Sequence, residues 1–311
     1  MPLPNRSHPS DWPELPFAAW SDTAATLHMW TQIVGKIRLA QTPWTNHSWH
    51  VVLYVTARGL GTSPIAHGGR VFDMEFDFVD HRLAVRTSDG EQRDVPLVAR
   101  SVSDFYGEVR ECLRALRLDV PIHTTPSEVP DAIPFERDTR HHHYDPAFAT
   151  RFWRALVQVD RVFKEFRARF IGKCSPVHFF WGGLDLAVTR FSGREAPPHP
   201  GGVPNFPDWV AREAYSHEVS SAGFWPGGSG IDHAAFYSYA YPQPPGFAEA
   251  EVRPAAASWS PALGEFLLPY DAVRTAPSPD DVLLEFLQST YEAAADRARW
   301  DRAALERRPS T

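Results

Sequence analysis

Four short stretches concentrate the side chains able to do chemistry. Asn46-His47-Ser48-Trp49-His50 comes first, followed by Cys174-Ser175-Pro176-Val177-His178, with Asp185, Arg190 and Arg194 downstream. Tyr215-Ser216-His217-Glu218 and Tyr237-Ser238-Tyr239-Ala240-Tyr241 complete the set. A metal set of His50 (or His47), His178 and His217 would suit zinc or non-haem iron, with Glu218 or Asp185 as carboxylate ligand or base. Neutral imidazole and carboxylate oxygen match those ions, and a catalytic site leaves one position open. Adjacent residues of a strand point to opposite faces, so His217 and Glu218 share a pocket only across a bulge. Without metal, His178, His217, Glu218 and Asp185 are the candidates for acid–base catalysis.

Substrate binding falls to other residue types. Arg58, Arg190 and Arg194 carry planar donor forks that clamp a carboxylate or phosphate, with ion pairs to Asp185 or Glu213 as the plainer role. Trp181 and Tyr237 offer aromatic contacts for a ligand. Cys174 follows the C-terminal end of a helix, the wrong pole to stabilise a thiolate, and Cys112 falls in an apolar helix stripe. His141-His142-His143 reads as solvated loop. Gly223 to Gly228 is glycine-rich but lacks the Lys-Ser/Thr of a phosphate loop. His28, Gln32 and Lys36 share one face of the first helix, where they line a pocket or meet water.

These residues must be positioned by an α+β scaffold. Ser21 to Gln41 repeats Leu27, Trp30, Val34 and Ile37 at helical spacing, with Ser21 or Asp22 as cap and Thr42-Pro43 as stop. His50 to Leu60 reads as one strand, and Val71 to Val79 alternates Phe72, Met74, Phe76 and Phe78 with charge. Asp80-His81 and Asp89-Gly90 turn the chain into strands at Arg82 to Thr87 and Arg93 to Val98. Ser101 caps a helix to Leu116. Prolines 121, 126, 130 and 134 mark a linker. Asp145-Pro146 opens a helix ended by Gly172. Strands follow at His178 to Phe191, Tyr215 to Phe224, Ala234 to Tyr241 and Glu265 to Leu268. Ser278-Pro279-Asp280-Asp281 starts the last helix.

The two halves repeat one order of elements: long helix, strands, closing helix. Ile33-Val34-Gly35-Lys36 parallels Phe170-Ile171-Gly172-Lys173, and Pro96 before Arg100 parallels Pro269 before Arg274. We expect residues 1–120 and 145–311 to be diverged copies of an antiparallel sheet covered by helices, packed about a pseudo-twofold axis and joined by 121–144. Ligand pockets favour such junctions.

The chain has 311 residues, 43% of them hydrophobic, so it can bury a sizeable core. Its formal net charge of −7 comes without a basic run, which disfavours a nucleic-acid partner. Met1 to Pro16 has no apolar run of a secretory signal, no segment reaches membrane-span length, and two cysteines make no disulfide framework. A cytoplasmic protein acting on a small molecule is expected. With the motifs Thr26 to Gln32, His178-Phe179-Phe180-Trp181-Gly182, Thr189 to Arg194 and Tyr215-Ser216-His217-Glu218, the sequence resembles an uncharacterised bacterial domain of unknown function spanning nearly the whole chain. That resemblance implies no activity. The leading expectation is an enzyme with a His/carboxylate/Arg pocket between the halves. The alternative is a non-catalytic binder whose aromatic pocket holds an apolar ligand.

Overall fold

The computed structural model describes residues 6–228 and 230–307; the first five residues of the Met1 to Pro16 segment lie outside them. Helix α1 (Phe17–Gln41) starts four residues before the expected cap, so Ser21 and Asp22 lie inside it. It is buried nearly all round from Thr26 to Arg38, as befits a helix that runs through the middle of a core rather than along its surface. Gly35 is one reason it fits. A Cβ there would stand 2.2 Å from the Trp181 indole nitrogen, and that indole is pinned by its N–H donating to Val51 O (2.8 Å).

The expected strand His50 to Leu60 breaks into β1 (Tyr54–Val55) and β2 (Gly59–Gly61). Thr56 makes the turn: its hydroxyl accepts from the N–H groups of Arg58 and Gly59. Then comes β3 (Ile65–His67), not foreseen, followed by β4 (Arg70–Asp77), β5 (Arg82–Thr87) and β6 (Gln92–Pro96), close to expectation. Strict alternation buries Phe72, Met74 and Phe76 on one face of β4. Helix α2 (Val102–Ala115) is capped by Ser101, whose side chain accepts from Asp104 N–H.

Residues 121–144 form a strap packed on the body, not a free tether. Phe135 and Asp138 are fully buried, and Gln32 holds Ser127 through both its backbone N–H and its carbonyl (2.8 Å each). Helix α3 (Pro146–Ala168) has Asp145 as its cap and stops before Gly172. The expected strand His178 to Phe191 is a hairpin, β7 (His178–Phe180) and β8 (Asp185–Glu195), turned at Gly182, Gly183 and a left-handed Leu184 (φ 55°). A short helix α4 (Asp208–Ala214), not foreseen, precedes β9 (His217–Trp225). Next are β10 (Ala235–Tyr241), β11 (Ser258–Ser260), β12 (Glu265–Pro269) and the helices α5 (Tyr270–Arg274), α6 (Pro279–Arg297) and α7 (Arg302–Leu305).

The strands form two antiparallel sheets of six, in the orders β1-β2-β4-β5-β6 (β3 also on β4) and β11-β12-β10-β9-β8-β7. Each half opens on a long helix and contributes six strands; the first closes on α2, and the second inserts α4 between β8 and β9 and closes on α5, α6 and α7. The sheets meet edge to edge through one bridge, Leu53 with Phe179, whose two N–H···O bonds measure 2.9 and 2.8 Å. Helices α3 and α6 cover one face of the second sheet, where Phe163 meets Phe236 and Phe166 meets Tyr291. Its other face carries polar side chains.

Candidate functional site

Strand register decides what that other face displays. Directly paired residues of an antiparallel sheet point to the same side. Ala187 on β8 pairs with His178 on β7 and with Gly223 on β9, and Gly223 pairs with Tyr237 on β10. One row of the face is thus His178, Ala187, Gly223 and Tyr237, with small residues between two large ones. The row beside it holds Asp185, two residues before Ala187, and Trp225, two after Gly223. On the other side lie Thr189, Ser221 and Tyr239, and Glu265 on β12 continues that row.

Gly223 lets the row close over itself. A Cβ at that position would lie 2.2 Å from the Tyr237 hydroxyl oxygen, so only glycine lets the ring lie across β9. Tyr237 O–H then donates to Asp185 Oδ2 at 2.5 Å. Its ring packs on Trp225 (4.4 Å between centroids), and the Tyr215 and Tyr239 hydroxyls share a hydrogen bond of 2.8 Å.

Two proline-rich segments roof this face. The strap brings Glu128, in a left-handed conformation (φ 64°), over Gly182, and Glu128 N–H donates to Pro204 O (2.9 Å). The loop 196–207 answers with Asn205 Nδ2 donating to Val129 O (2.7 Å). Helix α1 buttresses both. His28 Nε2–H donates to Gly182 O (2.7 Å), and Lys36 Nζ donates to the Ser127 hydroxyl (3.0 Å). On the shared helix face Gln32 and Lys36 are buried and His28 is half-buried, and together they fix the turns that carry Glu128 and Asp185.

The electrostatics of the cluster are one-sided. Burial raises the Asp185 carboxyl to about 6 despite the Tyr237 hydrogen bond. Burial and then the Asp185 charge raise Glu128 to about 7 and Glu265 to about 8. Glu128 keeps a solvent-exposed edge although protein surrounds its carboxyl, so water screens part of its shift. Among the described residues no Lys or Arg forms an ion pair with any of the three. Tyr215 and Tyr237 are held firmly protonated, burial being the larger cause in each. His178 is fully buried and lowered to about 3 by burial, so it is neutral. Neither ring nitrogen has a hydrogen-bond partner outside its own residue.

The other candidates disperse. His217 pairs with Glu195, eight positions along β8 from the Ala187 partner of His178, a separation of more than about 20 Å in extended chain. His50 packs on Trp44 and accepts from Thr45 N–H. His47, buried, donates to Ala214 O and accepts from Lys173. The zinc or iron set His50, His178 and His217 is therefore not assembled, and among the described residues no three His, Cys, Asp or Glu side chains converge as a metal site. Glu218 pairs with Arg194 (2.7 Å), at the far end of the sheet from Asp185.

Arg58 is held by Asp77 and Asp80 (2.7 Å each). Arg190 points to the helix side, where its guanidinium lies 3.5 Å over Phe166 and 4.3 Å over Tyr291. Neither is free to clamp a substrate, and the expected partners Asp185 and Glu213 are not theirs. Trp181 is core. Of the sequence candidates, Asp185, Tyr237 and His178 share the face; Glu128 and Glu265 were missed, since nothing local marks a lone glutamate. The cluster sits on the second sheet, with the first half contributing its support through α1, and not midway between two equal halves.

Fold and site together define an α+β protein of paired antiparallel sheets with a carboxyl–tyrosine face under a loop roof. The chain belongs to the family of unknown function DUF5996, which matches residues 12–307. No curated protein matches the chain, and no solved structure matches it. Among the described residues no helix is long and apolar enough to cross a membrane.

Proposed function

We propose that this chain is a small-molecule enzyme, cytoplasmic and without nucleic-acid or membrane partners, that performs acid–base chemistry on the carboxyl–tyrosine face. The repeated helix–six strands–helix order is read as a duplicated unit in which the second copy took over the chemistry. The observation that carries the reading is the gathering of Asp185, Glu128 and Glu265 at the tyrosine face, where Asp185 accepts from Tyr237 at 2.5 Å and none of the three forms an ion pair among the described residues; burial raises all three carboxyls toward neutrality. Groups poised around neutrality supply both an acid and a base at working pH. Asp185, held toward its ionised form by Tyr237, is the base that removes a substrate proton. Glu265, the last to ionise, is the acid that returns one. Glu128 closes the site from the strap. No step requires a metal.

The test is turnover of a broad mixture of small metabolites, followed by mass spectrometry, for the intact protein and for Asp185→Asn and Glu265→Gln. Wild type should convert a component that both variants leave untouched, with a bell-shaped pH profile limited near 6 and 8. Variants that match wild type would remove these carboxyls from the mechanism. A second reading, a non-catalytic binder, is favoured by the rings of Tyr215, Tyr237, Tyr239 and Trp225 on the same face. It predicts a component retained by the protein and released unchanged.

A further inference from the structure

Elsewhere in the fold, arginines pair with the acids that packing covers. Asp77 is matched by Arg58 and Arg82, Asp280 by Arg161, and Glu218 by Arg194. Against that background Asp185, Glu128 and Glu265 form a cluster of carboxyls that no Lys or Arg pairs with among the described residues, and an arriving cation would favour their ionised forms. A second feature is independent of charge. His178, with none of its surface exposed, stands on the same face as Asp185 and one strand over, and both its ring nitrogens lack a partner. A buried polar group without a partner is costly, so a ligand that satisfies it gains affinity. Glu265 adds a further buried acceptor, since its Oε2 also has no partner.

We propose that the ligand of this face is a protonated amine carried on an apolar body. The inference rests on reading the face as a small-molecule site, and it names the chemistry of what enters. The missing element is a positive charge that also donates N–H bonds. An ammonium group supplies both, to the carboxylates, to Glu265 Oε2 and to the neutral imidazole of His178. An anion would face three carboxyls with no Lys or Arg to receive it. The four rings complete the match, because a cation is attracted to the faces of Tyr and Trp and an apolar body packs on them.

The experiment is calorimetric titration of the intact protein with benzylamine, benzyl alcohol and benzoate, which share a ring and differ in charge. Benzylamine should bind, benzyl alcohol about tenfold or more weakly, and benzoate not at all. Glu265→Gln should weaken benzylamine about tenfold or more while leaving benzyl alcohol unchanged, one lost charge-assisted bond being worth that factor. Its unaltered binding of the neutral probe also reports that the face is still folded. Equal binding of benzylamine and benzyl alcohol, preference for benzoate, or indifference of benzylamine to Glu265→Gln would overturn the amine proposal. Those outcomes leave the acid–base reading standing if Asp185→Asn still abolishes turnover. Amine binding without any turnover would instead remove the catalytic reading alone.

Discussion

Tyr237 lies across β9 and donates its phenol proton to Asp185 on β8, at 2.5 Å, over the bare backbone of Gly223. Two strand spacings separate the backbones of these residues, about 10 Å, and a tyrosine spans that distance only where the intervening strand carries no side chain. Burial, the larger cause, raises the Asp185 carboxyl, and the Tyr237 bond works against it; Glu128 and Glu265 are raised by burial and then by the Asp185 charge.

Tyr237→Phe removes that donor and should push the Asp185 carboxyl up from about 6, because a hydrogen bond to the ionised form favours it. Carboxyl titration by NMR against an Asp185→Asn reference would measure the change. An unchanged Asp185 titration would show that the phenol does not tune it. Gly223→Ala, which displaces the ring without touching either group, should move the titration the same way.

Arg190 is expected to matter for stability and not for binding. Its cation is buried against Phe166, Phe170 and Tyr291 without an ion pair among the described residues, and burial lowers it to about 10. Arg190→Ala leaves a cavity among three rings and should cost about 3 kcal/mol. Arg190→Met keeps the volume and drops the buried charge, so it should be near neutral or stabilising. Urea denaturation of both variants measures this. Loss of ligand binding at unchanged stability would restore Arg190 to the site.

Stability should fall as pH rises from 6.5 to 8. The folded state holds protons on Glu128 and Glu265 that the unfolded chain has released above about 4.5, so their contribution is lost as pH climbs through about 7 and about 8. Asp185 loses its share lower, near 6. The histidines act oppositely and elsewhere: His28 and His178, lowered to about 4 and about 3, give their full contribution above 6.5 and lose it only in acid. Lys36, lowered to about 8, opposes the trend at the upper edge alone. The slope is at most about 1.4 kcal/mol per pH unit for the proton held on Glu265 and smaller for Glu128, which is exposed and screened by water. Urea midpoints at constant ionic strength should decline across this range, and Glu265→Gln should flatten the decline. A flat or rising wild-type profile would contradict the raised carboxyl of Glu265.

Local rules carried the fold a long way. The Ser101 and Asp145 caps, the alternation of β4 and the Asp89-Gly90 turn need only neighbouring residues, and each stands where the sequence puts it. Continuous apolar runs misled at His50 to Leu60 and His178 to Phe191, because a run of strand-forming residues does not show where it doubles back. There the turn is set by Thr56 capping Arg58 and Gly59, and by His28 holding Gly182 from a helix 154 residues away. Asp185 and Tyr237 could be named from the sequence as single polar residues in strands. That they touch depends on register across three strands. Glu128 and Glu265 drew no notice, since a glutamate becomes unusual only through what the fold packs around its carboxyl. Burial and register are properties of the packed chain; they arise from contacts between residues far apart in sequence, and no window of neighbours contains them.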